Sequence, residues 1–273
     1  MTITYTPILP SLGLHVGGLD LARELTVDEI AGLREKLHRH GLLRFDPQHF
    51  SAAEQERFAQ YFGKFSRQGA IQKSAAGATY VSNVRDDGTF GKGELLFHSD
   101  QCYYPYPMKA IMLFGVEVPT HAGGETLFAN TAEALRRLPE DFRARLRTLR
   151  VRHAFDYGAV DYGERKAGEV QRFVATHTHP VIARHPWSDQ EILMVNRATA
   201  VEIEGLPRAD SMALLDRIND AIADPRYVYR HRWAKGDFLF WDNLLLQHAR
   251  TDFSSGERRT LRRCALGHEK EAA

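Results

Sequence analysis

The chain has 273 residues, of which 43% are hydrophobic and 26% are charged, and its formal net charge is +1. These are ordinary proportions for a soluble globular protein, and the length allows one large domain or two small ones. The balanced charge excludes an overall field that would attract nucleic acid or an anionic membrane. No apolar run approaches the roughly 20 residues needed to span a bilayer. The N-terminus lacks the basic and apolar segments of a signal peptide, so we expect a cytoplasmic protein with reduced cysteines.

Two capping boxes predict helices in the N-terminal part. Thr26 and Ser51 are each followed three residues later by a glutamate, the pattern in which a side chain and a backbone amide cap each other reciprocally. Gly41 is suited to end the first helix in a left-handed conformation. Residues 42–45 follow as a short apolar strand. This order predicts an α/β portion that packs against the rest of the chain.

Beyond residue 71, short apolar segments alternate with turns. Residues 71–96 form a glycine-rich loop with a short apolar centre, and residues 159–175 give no clear pattern. A helical region capped by Thr131 extends to Leu149 with a restart at Pro139, and an amphipathic helix covers residues 207–223. The predicted strands cover residues 110–118, 125–128, 151–155, 181–184, 192–195, 227–233, 238–241 and 260–266. A mainly β chain with inserted helices favours one domain over residues 1–273, built as an antiparallel sandwich or jelly roll.

A short motif after an apolar segment suggests metal binding. In extended backbone, side chains two residues apart leave the same face, so His98 and Asp100 can point at one ion. Such a tripeptide often arises by chance, but His248, much later in the chain, supplies a suitable third ligand. Two imidazoles and one carboxylate on one face of an octahedral metal suit ferrous iron that reacts with oxygen. We therefore hypothesise an iron site.

The other histidines are less suited to bind a metal, whereas one arginine is suited to bind a carboxylate. His177 and His179 lack a carboxylate in their local pattern, and we assign them structural roles; His121 is a turn residue. Arg259 follows His248 by eleven residues, enough for a turn and an adjacent antiparallel strand. On such a strand, the guanidinium of Arg259 would lie near His248 and could bind a carboxylate through two hydrogen bonds. The alternative is that Arg259 is a surface residue of the basic segment 258–263 and binds no ligand.

Several motifs occur in an order that is far more specific than any one of them. They are HGLLRFDPQHFS, FAQYFGKF, FHSDQCYY, GGETLFAN, the THPVIARHP…LMVN pair, GDFLFWDN, QHAR and ERRTLRR. Through nearly its whole length the chain resembles the taurine dioxygenase and 2,4-dichlorophenoxyacetate dioxygenase family of Fe(II)- and 2-oxoglutarate-dependent oxygenases. The resemblance implies a double-stranded β-helix, the cupin-like jelly roll.

The resemblance also implies roles for individual residues. His98, Asp100 and His248 correspond to the iron ligands, and Thr126 with Arg259 to the pair that binds the distal carboxylate of 2-oxoglutarate. Arg263 matches a position that meets the sulfonate in taurine dioxygenase. Gln68 stands where that enzyme has a second sulfonate-contacting histidine, and Glu94 replaces an asparagine near the taurine pocket. Taurine itself is therefore not expected, while an anionic substrate is.

Further substrate contacts are predicted from side-chain chemistry. Tyr103 and Tyr104 follow the metal motif closely, and aromatic walls are usual in small-molecule pockets, although a place in the core is an equal alternative. Asn83 is a further candidate, as are Asn196 and Arg197.

The predicted activity is hydroxylation of a small, anionic molecule that resembles a sulfonate, a carboxylate or a phenoxyacid. Fe(II), 2-oxoglutarate and O2 would take part, with release of succinate and CO2. The carboxylate of Asp100 in the ligand set favours hydroxylation of the substrate over its halogenation. Alternatives are a desaturation or another oxidative outcome, a non-oxidative cupin-like metalloenzyme, and a non-catalytic jelly-roll binding module. We expect a homo-oligomer with a small-molecule substrate and no nucleic-acid or membrane partner.

Overall fold

The computed structural model describes residues 2–68, 77–91, 93–121, 123–155, 175–254 and 256–270; most of the segment 159–175 and part of the loop 71–96 lie outside these ranges. Within them the helices are α1 (Val27–His40), α2 (Ala52–Gln60), α3 (Thr131–Arg137), α4 (Glu140–Leu146) and α5 (Arg208–Ile222), with a 3₁₀ turn at Pro225–Tyr227. Both predicted capping boxes are present, and Gly41 ends α1 with a φ of +79°.

The strands of the described residues are short, as predicted. They are β1 (Thr4–Leu9), β2 (Leu12–Gly17), β3 (Leu42–Phe45), β4 (Thr79–Ser82), β5 (Gly88–Thr89), β6 (Leu95–His98), β7 (Ala110–Glu117), β8 (Thr126–Asn130), β9 (Arg150–Phe155), β10 (Ala175–Pro180), β11 (Ile182–Arg184), β12 (Glu191–Leu193), β13 (Ala200–Ile203), β14 (Val228–His231), β15 (Phe238–Asp242), β16 (Leu246–Arg250) and β17 (Thr260–Leu266).

Two sheets form the sandwich that carries the site. In the described part of the chain, the larger has the order β1-β2-β3-β15-β7-β17-β4-β5 and the smaller β14-β8-β16-β6. Neighbouring strands are antiparallel, except for β2 with β3 and β4 with β5. One apolar cluster joins the two sheets, and within it the rings of Phe128 (smaller sheet) and Trp241 (larger sheet) meet edge to face at 5.3 Å. Side chains from two inner faces thus fill the space between the sheets, which confirms the predicted jelly roll.

The helices cover this sandwich through two further apolar clusters. Helices α1 and α2 bury Leu33, Leu37 and Phe58 against Phe238 and other residues of the larger sheet. The other helices pack with two small sheets, β10-β9-β13 and β11-β12. The N-terminal portion is therefore an extension of the larger sheet, because β3 pairs with β15.

One predicted helix start is wrong by a residue. Asn130, rather than Thr131, caps α3, because its side-chain oxygen accepts hydrogen bonds from the amides of Ala132 and Glu133. The helical region divides after Arg137, and Pro139 is the N-cap residue that precedes α4.

Cys102 and Cys264 are unpaired and buried, and burial raises the pKa of each thiol to about 12. Among the described helices, none has the length and apolar character required to cross a membrane.

Candidate active site

Strand pairing brings the two predicted iron-binding histidines together. His248 of β16 lies directly opposite His98 of β6, and the centroids of their rings are 4.2 Å apart. Asp100 follows β6, and its Oδ1 is 3.2 Å from His98 Nε2. One potential ligand atom from each residue lies within 4.8 Å of the other two. Residues far apart in sequence therefore form one compact donor set.

The chemical state of these side chains suits a divalent metal. His98 Nδ1 donates a hydrogen bond to the Leu96 carbonyl at 2.7 Å, which leaves the lone pair on Nε2 facing Asp100. Burial, together with nearby His98, lowers the pKa of His248 to about 3, so this imidazole is neutral at pH 7. His248 Nδ1 is buried without a hydrogen-bond partner among the described residues. Two imidazoles that can each offer a ring nitrogen, together with a carboxylate, fit Fe(II).

Arg263 stabilises the ionised form of Asp100. Its Nη2 is 2.5 Å from Asp100 Oδ2, the oxygen that does not face His98. Burial alone would raise the pKa of this carboxyl, but nearby His98 and the positive charge of Arg263 outweigh burial and hold the pKa far below its usual value. The carboxylate therefore stays charged across the physiological range.

Asn243 fixes the backbone of Asp100, a contact that the sequence analysis missed. Its Oδ1 accepts a hydrogen bond from the Asp100 amide at 2.8 Å, and its Nδ2 donates to the carbonyls of Asp100 at 3.1 Å and Met108 at 2.9 Å. The side chain is fully buried. Asn243 thereby ties the turn between β15 and β16 to the segment after β6.

The predicted 2-oxoglutarate residues lie at the same cavity. Arg259 is 2% exposed, and its Nε donates to the Gly124 carbonyl at 3.1 Å. Among the described residues no carboxylate forms an ion pair with it, although buried charges are normally paired. Burial and the charge of Arg250 lower the pKa of Arg259 to about 9, so it remains protonated at pH 7. A buried cation of this kind fits the carboxylate of a ligand.

One cavity contains both groups. His98, Asp100, His248, Thr126, Arg259 and Arg263 all line it. Its large apolar lining residues are Val81, Phe90, Leu95, Leu96, Tyr103, Met108, Ile111, Leu113, Phe155 and Trp241. A few polar groups within a largely apolar enclosure are characteristic of small-molecule sites.

Of the other predicted substrate contacts, Tyr103 lines the cavity and stacks on Phe155 with ring centroids 4.9 Å apart. Tyr104, Asn83 and Gln68 lie outside the described cavity lining. The Tyr104 ring packs on that of Tyr103.

Asn83 and Gln68 instead support neighbouring segments. Asn83 Oδ1 accepts a hydrogen bond from the Arg259 amide at 2.9 Å, and Gln68 Nε2 donates to the Tyr106 carbonyl at 3.1 Å. Of the remaining candidates, Asn196 accepts hydrogen bonds from Thr199, and Arg197 pairs with Asp220 at the surface.

Arg250 is a second residue that the sequence analysis missed. It lines the cavity, is buried, and donates hydrogen bonds to the carbonyls of Phe90 and Gly93. Its position two residues after His248 on the same strand is a signal that could have found it, because side chains at i and i+2 share a face.

A second group of potential ligands is accounted for by hydrogen bonds. His38 Nδ1 and His185 Nε2 each donate to Asp242 Oδ2 at 3.0 Å, while Oδ1 accepts from the amides of Leu244 and Leu245. Both carboxylate oxygens are thus engaged. This cluster stabilises the turn that carries Asn243.

Comparison with known proteins gives consistent matches. A family model described as "Taurine catabolism dioxygenase TauD, TfdA family" matches residues 4–265. The (S)-phenoxypropionate/alpha-ketoglutarate-dioxygenase of Sphingobium herbicidovorans is 30% identical, over 93% of this chain and 91% of its own length. The alpha-ketoglutarate-dependent 2,4-dichlorophenoxyacetate dioxygenase of Cupriavidus pinatubonensis is 28% identical, over 96% and 97% respectively. The crystal structure of a taurine dioxygenase from Burkholderia xenovorans superimposes with a TM-score of 0.81 at 25% identity, covering 98% of this chain and 91% of that one.

Proposed function

Since the chain belongs to the TauD, TfdA family and is an alpha-ketoglutarate-dependent dioxygenase, we propose that His98, Asp100 and His248 bind its Fe(II). The observation that carries this proposal is the strand register that sets His248 opposite His98, with Asp100 beside both. The lowered pKa of His248 and its buried Nδ1, which has no hydrogen-bond partner among the described residues, support it.

Held by His98, Asp100 and His248, Fe(II) would supply the oxidative chemistry, in which O2 and 2-oxoglutarate are converted to succinate and CO2 while one oxygen atom is inserted into a substrate C–H bond. The protein binds and orients the reactants. Arg259 and Thr126 hold the distal carboxylate of 2-oxoglutarate, which supplies the negative charge that the buried guanidinium lacks. The apolar lining excludes water, so these electrostatic contacts are strong.

The substrate is proposed to be a small anion. Three arginines, Arg250, Arg259 and Arg263, line the cavity, against one carboxylate, Asp100, among the described lining residues. This excess of positive charge attracts acids. The relatives act on phenoxypropionate and dichlorophenoxyacetate, and the structural neighbour is a taurine dioxygenase; all three compounds carry an acidic group.

Within this class, Arg263 would bind the acidic group and Tyr103 with Phe155 would pack against the carbon skeleton. Sulfonates, carboxylates and phenoxyacids all satisfy these contacts. Hydroxylation is the proposed outcome.

The test is anaerobic addition of Fe(II) and then 2-oxoglutarate to the purified protein, recorded in the visible region. We expect a metal-to-ligand charge-transfer band that neither component gives alone. A panel of sulfonates, phenoxyacids and aliphatic carboxylates is then assayed for succinate release under air. Absence of both the band and 2-oxoglutarate turnover would overturn the proposal and favour a non-oxidative metalloenzyme.

We further propose that residues 1–273 form one catalytic domain that works in the cytoplasm. The family match over residues 4–265 supports the first statement, and the two unpaired cysteines support the second.

A further inference from the structure

We propose that Trp233 is a positioning residue for the co-substrate: its indole N–H holds the Thr126 hydroxyl so that the hydroxyl hydrogen is directed at the distal carboxylate of 2-oxoglutarate. The inference rests on the proposed role of Thr126 and Arg259 in binding that carboxylate. It adds a residue that would not itself need to touch the ligand.

The hydrogen bond fixes the direction in which Thr126 can donate. Trp233 Nε1 donates to Thr126 Oγ1 at 2.9 Å, and both side chains are buried. An indole N–H is a donor only, so Thr126 is the acceptor. In the part of the chain that the structure describes, no group accepts the hydrogen of the Thr126 hydroxyl. That hydrogen is therefore available to a ligand in the cavity that Thr126 and Arg259 both line.

Packing keeps the indole in place before any ligand binds. Strand β14 pairs with β8 so that His231 lies opposite Thr126, and Trp233 follows two residues later. The His231 ring meets the Trp233 ring edge on, with centroids 4.7 Å apart and planes at 90°. Trp233 also belongs to the apolar cluster that lies between the two sheets. The donor is thus held by the core between the sheets.

Such preorganisation strengthens binding because the hydroxyl does not have to be reoriented when the ligand arrives. Without the indole donor, the hydroxyl can rotate freely and Oγ1 loses its buried partner. Loss of one neutral hydrogen bond, here the one between the indole and the hydroxyl, is worth up to roughly a tenfold change in affinity. The effect should fall on 2-oxoglutarate and leave the metal unaffected, because Trp233 does not contact the proposed ligands directly.

The main variant is Trp233→Phe, which keeps an aromatic ring and removes the N–H. The dissociation constant for 2-oxoglutarate is measured anaerobically from the charge-transfer band of the Fe(II) protein, and Fe(II) affinity is measured separately. We expect 2-oxoglutarate to bind about five- to tenfold more weakly, with unchanged Fe(II) affinity. Trp187→Phe is the matched control, because Trp187 stacks on His38 away from the cavity and should leave both affinities unchanged.

A double-mutant cycle separates positioning from a general effect on packing. Thr126→Val removes the hydroxyl while it keeps the branched shape. If Trp233 acts through that hydroxyl, adding Trp233→Phe to Thr126→Val causes little further loss. Full additivity of the two effects, or wild-type 2-oxoglutarate affinity in Trp233→Phe, would overturn the inference. A wild-type protein that gives no charge-transfer band would instead overturn the proposed function.

A measurement on the intact tryptophan guards against failure of Trp233→Phe to fold. The chain has three tryptophans, so ¹⁵N-labelling gives three indole N–H resonances in the diamagnetic Zn(II) form. We expect one of them to shift in Thr126→Val and to respond to 2-oxoglutarate only when the threonine is present. If no indole resonance responds to Thr126→Val, the inference is wrong.

Discussion

His98 and His248 face each other across two hydrogen-bonded antiparallel strands, with their rings 4.2 Å apart. Because side chains alternate between the two faces of a sheet, a slip of one residue in this register would turn His248 away from His98. One strand pairing thus positions two of the three proposed ligands. The position of the third, Asp100, is set by its place two residues after His98.

Replacement of Asp100 by alanine should abolish Fe(II) binding and turnover together. The change removes a proposed ligand and leaves Arg263 buried without its carboxylate. Metal content after dialysis and succinate release measure the two effects. Asp87→Ala, which removes an exposed carboxylate paired with Arg85, should behave as wild type. Substantial activity in Asp100→Ala would contradict the metal assignment.

Replacement of Arg259 by glutamine should weaken 2-oxoglutarate binding by roughly a hundredfold, which corresponds to about 2.7 kcal/mol, because the proposed site loses its charged two-pronged donor. Fe(II) affinity should stay within about twofold of wild type, since the metal ligands are elsewhere in the cavity. KM for 2-oxoglutarate and an anaerobic titration measure these changes.

The neighbouring Arg258 provides the control for that experiment. It pairs with Glu117 at the surface, and Arg258→Gln should leave the KM for 2-oxoglutarate unchanged. Equal effects of the two substitutions would argue that the basic run, rather than one guanidinium, attracts the co-substrate.

Replacement of Asn243 by aspartate should lower Fe(II) affinity by about ten- to a hundredfold, the usual cost of losing a group that orients a metal ligand. Aspartate has the same side-chain shape as asparagine, but its carboxylate cannot donate hydrogen bonds to the carbonyls of Asp100 and Met108. Competition with a chelator measures the affinity, and thermal unfolding checks that the fold persists. Unchanged metal affinity in a folded Asn243→Asp protein would show that Asp100 is oriented by other contacts.

Stability should decrease as the pH falls from about 6.5 towards 4. Burial, reinforced by neighbouring histidines, lowers the pKa of His153 to about 3 and that of His179 to about 4. In the unfolded chain these groups titrate near 6.5. Between these values the unfolded state binds more protons, so the free energy of unfolding rises with pH, by up to about 1.4 kcal/mol per pH unit for each histidine.

Urea denaturation at pH 7, 6 and 5 tests this dependence. His179→Gln should reduce the slope of stability against pH, although it also loses the hydrogen bond to the Cys102 carbonyl. An identical slope in wild type and variant would exclude His179 as a source of the pH dependence.

The sequence by itself determined the features that depend on neighbouring residues. Helix α1 could be predicted from Thr26 to Gly41 because capping boxes and glycine caps are local interactions. The pairing of His98 with Asp100 on one face follows from the two-residue period of extended backbone. Side-chain chemistry and spacing suggested His248 and Arg259, and the family resemblance then assigned their roles and added Thr126. The family itself and the jelly roll were confirmed.

Tertiary structure decided which distant side chains meet. The hydrogen bonds of Asn243 to Asp100 and of Trp233 to Thr126 join segments that are remote in sequence. Asn83 and Gln68 have suitable chemistry for substrate contact, yet they support other segments outside the described cavity lining. No local pattern specifies these contacts, because strand order and register arise from burial of the apolar faces of the whole chain.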